Sequence, residues 1–171
     1  MRKTHIRLLR AAGSVLAAGA ITLSGIGAAT AAPRAAVTRD SGIEHFQFMT
    51  TSTTTNTVTV IVHGVFTAGG IDMATSPTTD TIQFPDGTIK LKHSPGTGTT
   101  SLNQRTCLFT ANLRGTQTLL GGTGKYAGIS GQQTAQVHIL AITARSHGKC
   151  TQTVPPVSFE QIVSASGPVD L

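Results

Sequence analysis

Thr57-Val58-Thr59-Val60-Ile61-Val62-His63-Gly64-Val65-Phe66 decides the fold class. In an extended chain Val58, Val60, Val62 and Phe66 fall on one side, and Thr57, Thr59 and His63 on the other. That is period two, the spacing of a strand with one buried face; a helix would scatter the same valines around its circumference. The β-branched side chains also suit a pleated surface. Working outward, the pattern recurs. In 43–49, Phe46 and Phe48 oppose His45 and Gln47. Ile82 and Phe84, then Ile89 and Leu91, flank a turn at Pro85-Asp86-Gly87. In 107–119, Phe109, Ala111 and Leu113 oppose Thr110, Asn112 and Arg114. In 133–143, Ala135, Val137, Ile139 and Ala141 oppose Thr134, Gln136 and His138, and Val157, Phe159 and Val163 alternate near the end. Segments 40–42, 68–77 and 94–101 read as turn or loop, and Val154-Pro155-Pro156 as a stiff turn. The pattern therefore predicts about seven or eight half-buried antiparallel strands, in a closed barrel or a sandwich.

Charge and composition exclude other classes. The chain has 171 residues and a formal charge of +6, yet Arg2, Lys3, Arg7 and Arg10 supply four of its 13 basic residues. After residue 31 nine basic residues face seven acidic ones, which is no clustered basic face for nucleic acid. An apolar content of 39% against 12% charged residues argues against a disordered chain. The basic start, the uncharged Ala-, Leu- and Gly-rich stretch 11–32 and Ala29-Thr30-Ala31 have the order of a secretory signal. Gly13, Gly19, Gly25 and Gly27 dilute the stretch as a membrane anchor, so no stable anchor is expected. The predicted organisation is a signal peptide over 1–31, a flexible leader over 32–42 and a single β domain over 43–171, exported by the general secretory route. Cys107 and Cys150 are the only cysteines, and in an exported chain they are expected to form one disulfide. Opposed residues around a turn at 121–131 place the two close across one long hairpin or its neighbour.

Gly121-Gly122-Thr123-Gly124-Lys125-Tyr126-Ala127-Gly128-Ile129-Ser130-Gly131 is the most distinctive segment. It is not a phosphate loop, because Tyr126 stands where Ser or Thr should follow the lysine, and a strand pattern rather than a helix comes next. A glycine-rich turn between two long strands accounts for it. The segment also resembles the signature of the allene oxide cyclase-like and dirigent-like β-barrels, including small exported bacterial members. His45-Phe46-Gln47-Phe48, the flanking cysteines and the closing stretch 162–169 fit that resemblance. It implies a closed antiparallel eight-stranded, calycin-like barrel with an apolar lumen. Catalytic residues of the plant members find no matching positions here, and Ala127-Gly128-Ile129-Ser130 departs from the dirigent pattern. If the chain is catalytic at all, the resemblance implies a cyclase-type isomerisation.

In such a barrel Phe46, Phe48, Val60, Val62, Phe109, Leu113, Val137 and Ile139 would line the lumen, and His63, Asn112, Arg114 and His138 would face outward. Four polar residues are the ligand-binding candidates. Glu44 shares a face with Phe46 and Phe48, His93 shares one with Ile89 and Leu91, Gln161 lies between Phe159 and Val163, and Tyr126 sits in the glycine turn. Each has a plainer reading: Glu44 and His93 as rim residues touching water, Gln161 as a satisfied buried amide, Tyr126 as a packing plug. A carboxylate and a histidine at a lumen mouth would suit acid–base chemistry. No metal-ligand spacing and no cofactor motif occurs. Two functions remain open: a secreted barrel holding a small apolar ligand, or a non-catalytic structural or envelope-associated extracellular protein.

Overall fold

The structure, a computed structural model, describes residues 40–54 and 57–171. Among them are eleven strands: β1 Ser41–Thr50, β2 Thr57–His63, β3 Ala68–Ser76, β4 Thr79–Phe84, β5 Gly87–His93, β6 Thr97–Asn103, β7 Leu108–Gly122, β8 Ser130–Ile142, β9 Ala144–Ser146, β10 Lys149–Thr151 and β11 Ser158–Asp170. The expected signal peptide over 1–31 and most of the leader over 32–42 lie outside the described residues. Ser41 and Gly42, expected in that leader, instead begin β1, opposite Asp170 and Val169.

The main sheet runs β5-β4-β3-β2-β1-β11-β8-β7-β6, and β5 pairs back onto β7. That pairing closes an antiparallel barrel of eight strands, β1, β2, β3, β4, β5, β7, β8 and β11. Alternation follows the sequence pattern. Phe46, Phe48, Val60, Val62, Ile82, Phe84, Ile89 and Leu91 are buried, while their sequence neighbours on the outer face are exposed or half-exposed. His63, Asn112, Arg114 and His138 are all exposed. Two expectations fail. Segment 68–77 is largely β3, and most of 94–101 belongs to β6. Neither has an apolar period, because neither is held by its own burial. β3 is paired on both sides, to β2 and β4, and β6 rides along β7 as an exposed edge strand.

One end of the barrel is sealed. The glycine segment makes a short 3₁₀ turn over Gly124–Tyr126 and drives the Tyr126 ring inward, 1% exposed, with its centroid 5.0 Å from those of both Phe66 and Phe84. Phe46 meets Phe66 edge-on at 6.3 Å, and Ile129 and Val169 complete the layer. Aromatic pairs at these distances add to the area they bury. The turn is fastened to the β4–β5 turn by Lys125 N–H to the Asp86 carbonyl, 2.9 Å, and by Thr123 N–H to the Thr88 carbonyl, 2.9 Å. The Thr88 and Thr123 hydroxyls bond each other at 2.9 Å. At Gly124, φ is +59° and a Cβ would stand 2.1 Å from the Asp86 carbonyl oxygen, so the two turns approach this closely only over glycine.

Glu44 is the charged member of the sealed layer, with no exposed surface. Its carboxylate accepts the Phe66 N–H at 3.0 Å and the His45 N–H at 3.3 Å, which ties β1 to the β2–β3 turn. Burial pushes its pKa up, and the backbone donors, chiefly Phe66, oppose that shift. Gly64 makes the arrangement fit: its φ is +142°, and a Cβ there would lie 2.3 Å from the Ile43 carbonyl oxygen and 2.8 Å from Glu44 Oε1.

At the other end β7, β8 and β11 outrun their neighbours. With β6 they form an apron beyond the rim of β1–β4, since Thr50, the last residue of β1, lies opposite Gln161 while β11 continues up to Ser158. Phe109, an expected lumen residue, is half-buried on this apron, and Ile139 stands level with the rim. The Cys107–Cys150 disulfide joins the β6–β7 turn to the β9–β10 hairpin at the apron tip. Cys150 arrives there on a chain that has folded back beyond β8, while the continuation of β8 places Thr143 beside Cys107, whose carbonyl accepts the Thr143 N–H at 2.9 Å.

Gly64→Ala is expected to destabilise the barrel by about 1–3 kcal/mol through backbone strain, read as a fall in Tm. Closing a loop over a separation of 43 residues is worth about 4 kcal/mol in chain-entropy terms, so reduction should lower the denaturant midpoint. Peptide mapping without reductant should recover the Cys107 and Cys150 peptides as one linked species.

Candidate functional site

The open end holds a cavity of about 440 Å³. Strand alternation builds its walls, because every second residue of each strand faces the lumen. Phe48, Val58, Leu91, Leu113, Val137 and Val163 supply the apolar part. Asp72 from β3, Asp80 from β4, His93 from β5, Gln117 from β7 and Gln161 from β11 supply the polar part. Ser94-Pro95-Gly96 forms one lip, where the chain leaves β5 and continues along β7 as β6. The lip is held by Ser94 N–H to the Thr116 carbonyl and by Thr116 N–H to Ser94 Oγ, both 2.9 Å.

Asp72 and Asp80 are diagonal neighbours on adjacent strands, since Asp72 pairs with Ile82 and Asp80 with Ala74. Asp72 is 7% exposed, and its Oδ1 has no hydrogen-bond partner among the described residues. Burial first, and the Asp80 carboxylate second, push the Asp72 pKa up to about 7 against an opposing Met73 backbone N–H. Asp80 is also raised by burial, and His93 works against that shift. His93 Nε2 lies 3.3 Å from Asp80 Oδ2, an ion pair whenever the imidazole is protonated. On β7, where it pairs directly with His93, Gln117 donates its Nε2 to Gln133 Oε1 at 2.9 Å in a buried amide pair, which leaves Gln133 Nε2 unpaired among the described residues.

Of the four candidates named from sequence, the structure brings together His93 and Gln161, both lining this cavity. Glu44 and Tyr126 lie in the sealed layer at the opposite end of the barrel, so the expected Glu44–His93 pair does not form. Glu44 is no rim residue in contact with water, because backbone donors of the β2–β3 turn hold it inside. Tyr126 plugs the barrel and forms no part of a mouth; burial and Asp86 push its phenol pKa up. Sequence reading missed Asp72, Asp80 and Gln117. Gln117 and Asp80 carried a usable signal: each interrupts an apolar alternation, Gln117 between Leu113 and Leu119, Asp80 before Ile82 and Phe84. Asp72 carried none, since its strand neighbours on the same face are Gly70 and Ala74.

Chemically, the cavity offers one carboxyl, Asp72, that accepts or releases a proton near neutrality, a second carboxyl, an imidazole and amides, in a mainly apolar chamber. Among the described residues no three His, Cys, Asp or Glu side chains gather as a metal site.

The Asp72 shift has a measurable consequence. The unfolded carboxyl ionises near 3.8 and the folded one near 7, so between these values the folded state retains a proton that the unfolded chain has released. Stability therefore falls as pH rises through that window. Asp72→Asn should flatten the fall and raise stability at alkaline pH by up to about 4 kcal/mol, read from denaturant unfolding across the range.

Comparison with protein-family models, with curated proteins and with solved structures returns no match.

Proposed function

We propose that this protein binds one small, largely apolar ligand in the cavity at the open end of the barrel, and that it works as an exported binding protein. The observation that carries the reading is a mainly apolar chamber of about 440 Å³ lined by Asp72, a buried residue whose Oδ1 has no partner among the described residues. Ligand chambers commonly measure about 300–1,000 Å³ and combine apolar walls with a few convergent polar groups. Removing apolar ligand surface from water contributes about 25 cal/mol per Å². Orientation falls to Asp72, Asp80, His93, Gln117 and Gln161. The likeness of segment 121–131 to the allene oxide cyclase-like and dirigent-like barrels supports the same reading, since those barrels carry apolar lumens. Export is supported by the basic start, the apolar stretch 11–32 and Ala29-Thr30-Ala31.

The experiment is a titration with N-phenyl-1-naphthylamine, a neutral apolar fluorophore. Saturable binding at one site per chain is expected. Val163 lines the cavity between Phe48 and Val137, so Val163→Trp should fill the chamber and abolish the signal. The barrel should persist by circular dichroism, at an overpacking cost of about 1–3 kcal/mol. Val62 would be the wrong position for this test, because it belongs to the packed core and not to the chamber wall. Absence of saturable binding to the native protein, or equal binding by Val163→Trp, would overturn the reading in favour of a structural role.

A further inference from the structure

Resting on that binding reading, we infer that the ligand is an apolar amine whose ammonium group sits between Asp72 and Asp80, with its hydrocarbon against Phe48, Leu113, Val137 and Val163. Charge is the first reason. Two carboxyl groups line the chamber, from β3 and β4, and among the described residues the only other ionisable side chain lining it is His93 from β5. Strands β1, β2, β7, β8 and β11 contribute no ionisable side chain to the wall, and no Lys or Arg is among the described lining residues. The chamber therefore has one more acidic group than basic.

Hydrogen-bonding capacity is the second reason. Asp72 is more than nine-tenths buried, lines the chamber and leaves Oδ1 without a partner among the described residues. An ionised carboxylate only accepts hydrogen bonds, and a primary ammonium only donates them, three at a time. Oδ1 is sealed from solvent as the structure stands, so the ammonium reaches it once the Asp72 carboxyl turns toward the chamber; there it supplies the missing donor and offsets the repulsion between the two aspartates. A carboxylic acid ligand would add a third negative charge. A neutral alcohol would satisfy one acceptor and leave the repulsion in place. Burial of a charge is tolerated when it is paired and hydrogen-bonded, and here the partner would be the ligand itself.

Proton linkage follows from the same geometry. An aliphatic ammonium stays charged below about pH 10. Ionising Asp72 adds one carboxylate to the charge that the ammonium meets. Binding therefore releases the Asp72 proton to solvent, and affinity for the amine rises as pH climbs through about 7.

The test is displacement of N-phenyl-1-naphthylamine by three ligands of matched chain length: octylamine, 1-octanol and octanoate. At pH 8 octylamine should displace the probe at least about tenfold more tightly than octanol, a difference near 1.4 kcal/mol, and octanoate should be the weakest. At pH 5.5 the octylamine advantage should shrink several-fold. In Asp72→Asn with Asp80→Asn the ratio of octylamine to octanol affinity should fall to about one; taking the ratio within one variant cancels any general change in the chamber. If the probe binds but octanol or octanoate matches octylamine, or if the ratio survives the double substitution, the amine inference fails and the binding reading stands. If the native protein does not bind the probe, both fail together.

Discussion

His93 lies opposite Gln117, and Lys90 opposite Gly121, along the seam where β5 meets β7. Without that seam the sheet would have two edges and no lumen. With it, every inward side chain of eight strands is directed at the same interior. The seam also carries an irregularity: Leu91 pairs with Leu119, so Leu120 is extruded to the exterior, 56% exposed. A bulge of this kind adds local twist, which helps a sheet to curl onto itself. Ser94-Pro95-Gly96 lies just beyond the seam, so the wall of the chamber is formed by the same chain that completes closure.

Closure leaves two ends, and the protein treats them differently. At one end the turns are short and interlocked, and Tyr126, Phe66 and Phe84 fill the section. At the other, three strands overshoot as an apron, and the disulfide fixes its tip rather than filling its centre. The sealed half supplies stability through apolar burial. That allows the open half to hold residues that pack poorly and carry charge.

Two buried carboxyls show the contrast at the level of single atoms. Glu44 has its oxygens occupied by the Phe66 and His45 N–H groups. It acts as a bracket for the β2–β3 turn and leaves nothing to offer a visitor. Asp72 is buried almost as deeply, yet one oxygen has no partner among the described residues and a second carboxyl stands nearby. Desolvation raises both. What separates a structural carboxyl from a candidate binding one here is the supply of donors: the Phe66 N–H of the β2–β3 turn and the His45 N–H occupy one Glu44 oxygen each, whereas Asp72 Oδ1 receives none among the described residues.

Period-two alternation alone determined the all-β class, the faces of 43–49, 57–66, 107–119 and 133–143, and the outward aim of His63, Asn112, Arg114 and His138, because strand geometry is local and the apolar residues declare the buried face. The pairing of Cys107 with Cys150 was also legible, since only two cysteines exist. β3 and β6 were not legible: their residues are Gly-, Thr- and Ser-rich, and neighbouring strands supply the hydrogen bonds that hold them. Nor was the site. Glu44, His93, Tyr126 and Gln161 all carried the same mark in sequence, a polar group adjoining apolar ones, and only the register sorted them between a sealed end and an open one. Asp72 came from a stretch with no pattern and met Asp80 through cross-strand pairing. Which end of a barrel a residue occupies depends on strand direction and closure, and those are settled by contacts between residues far apart in the chain.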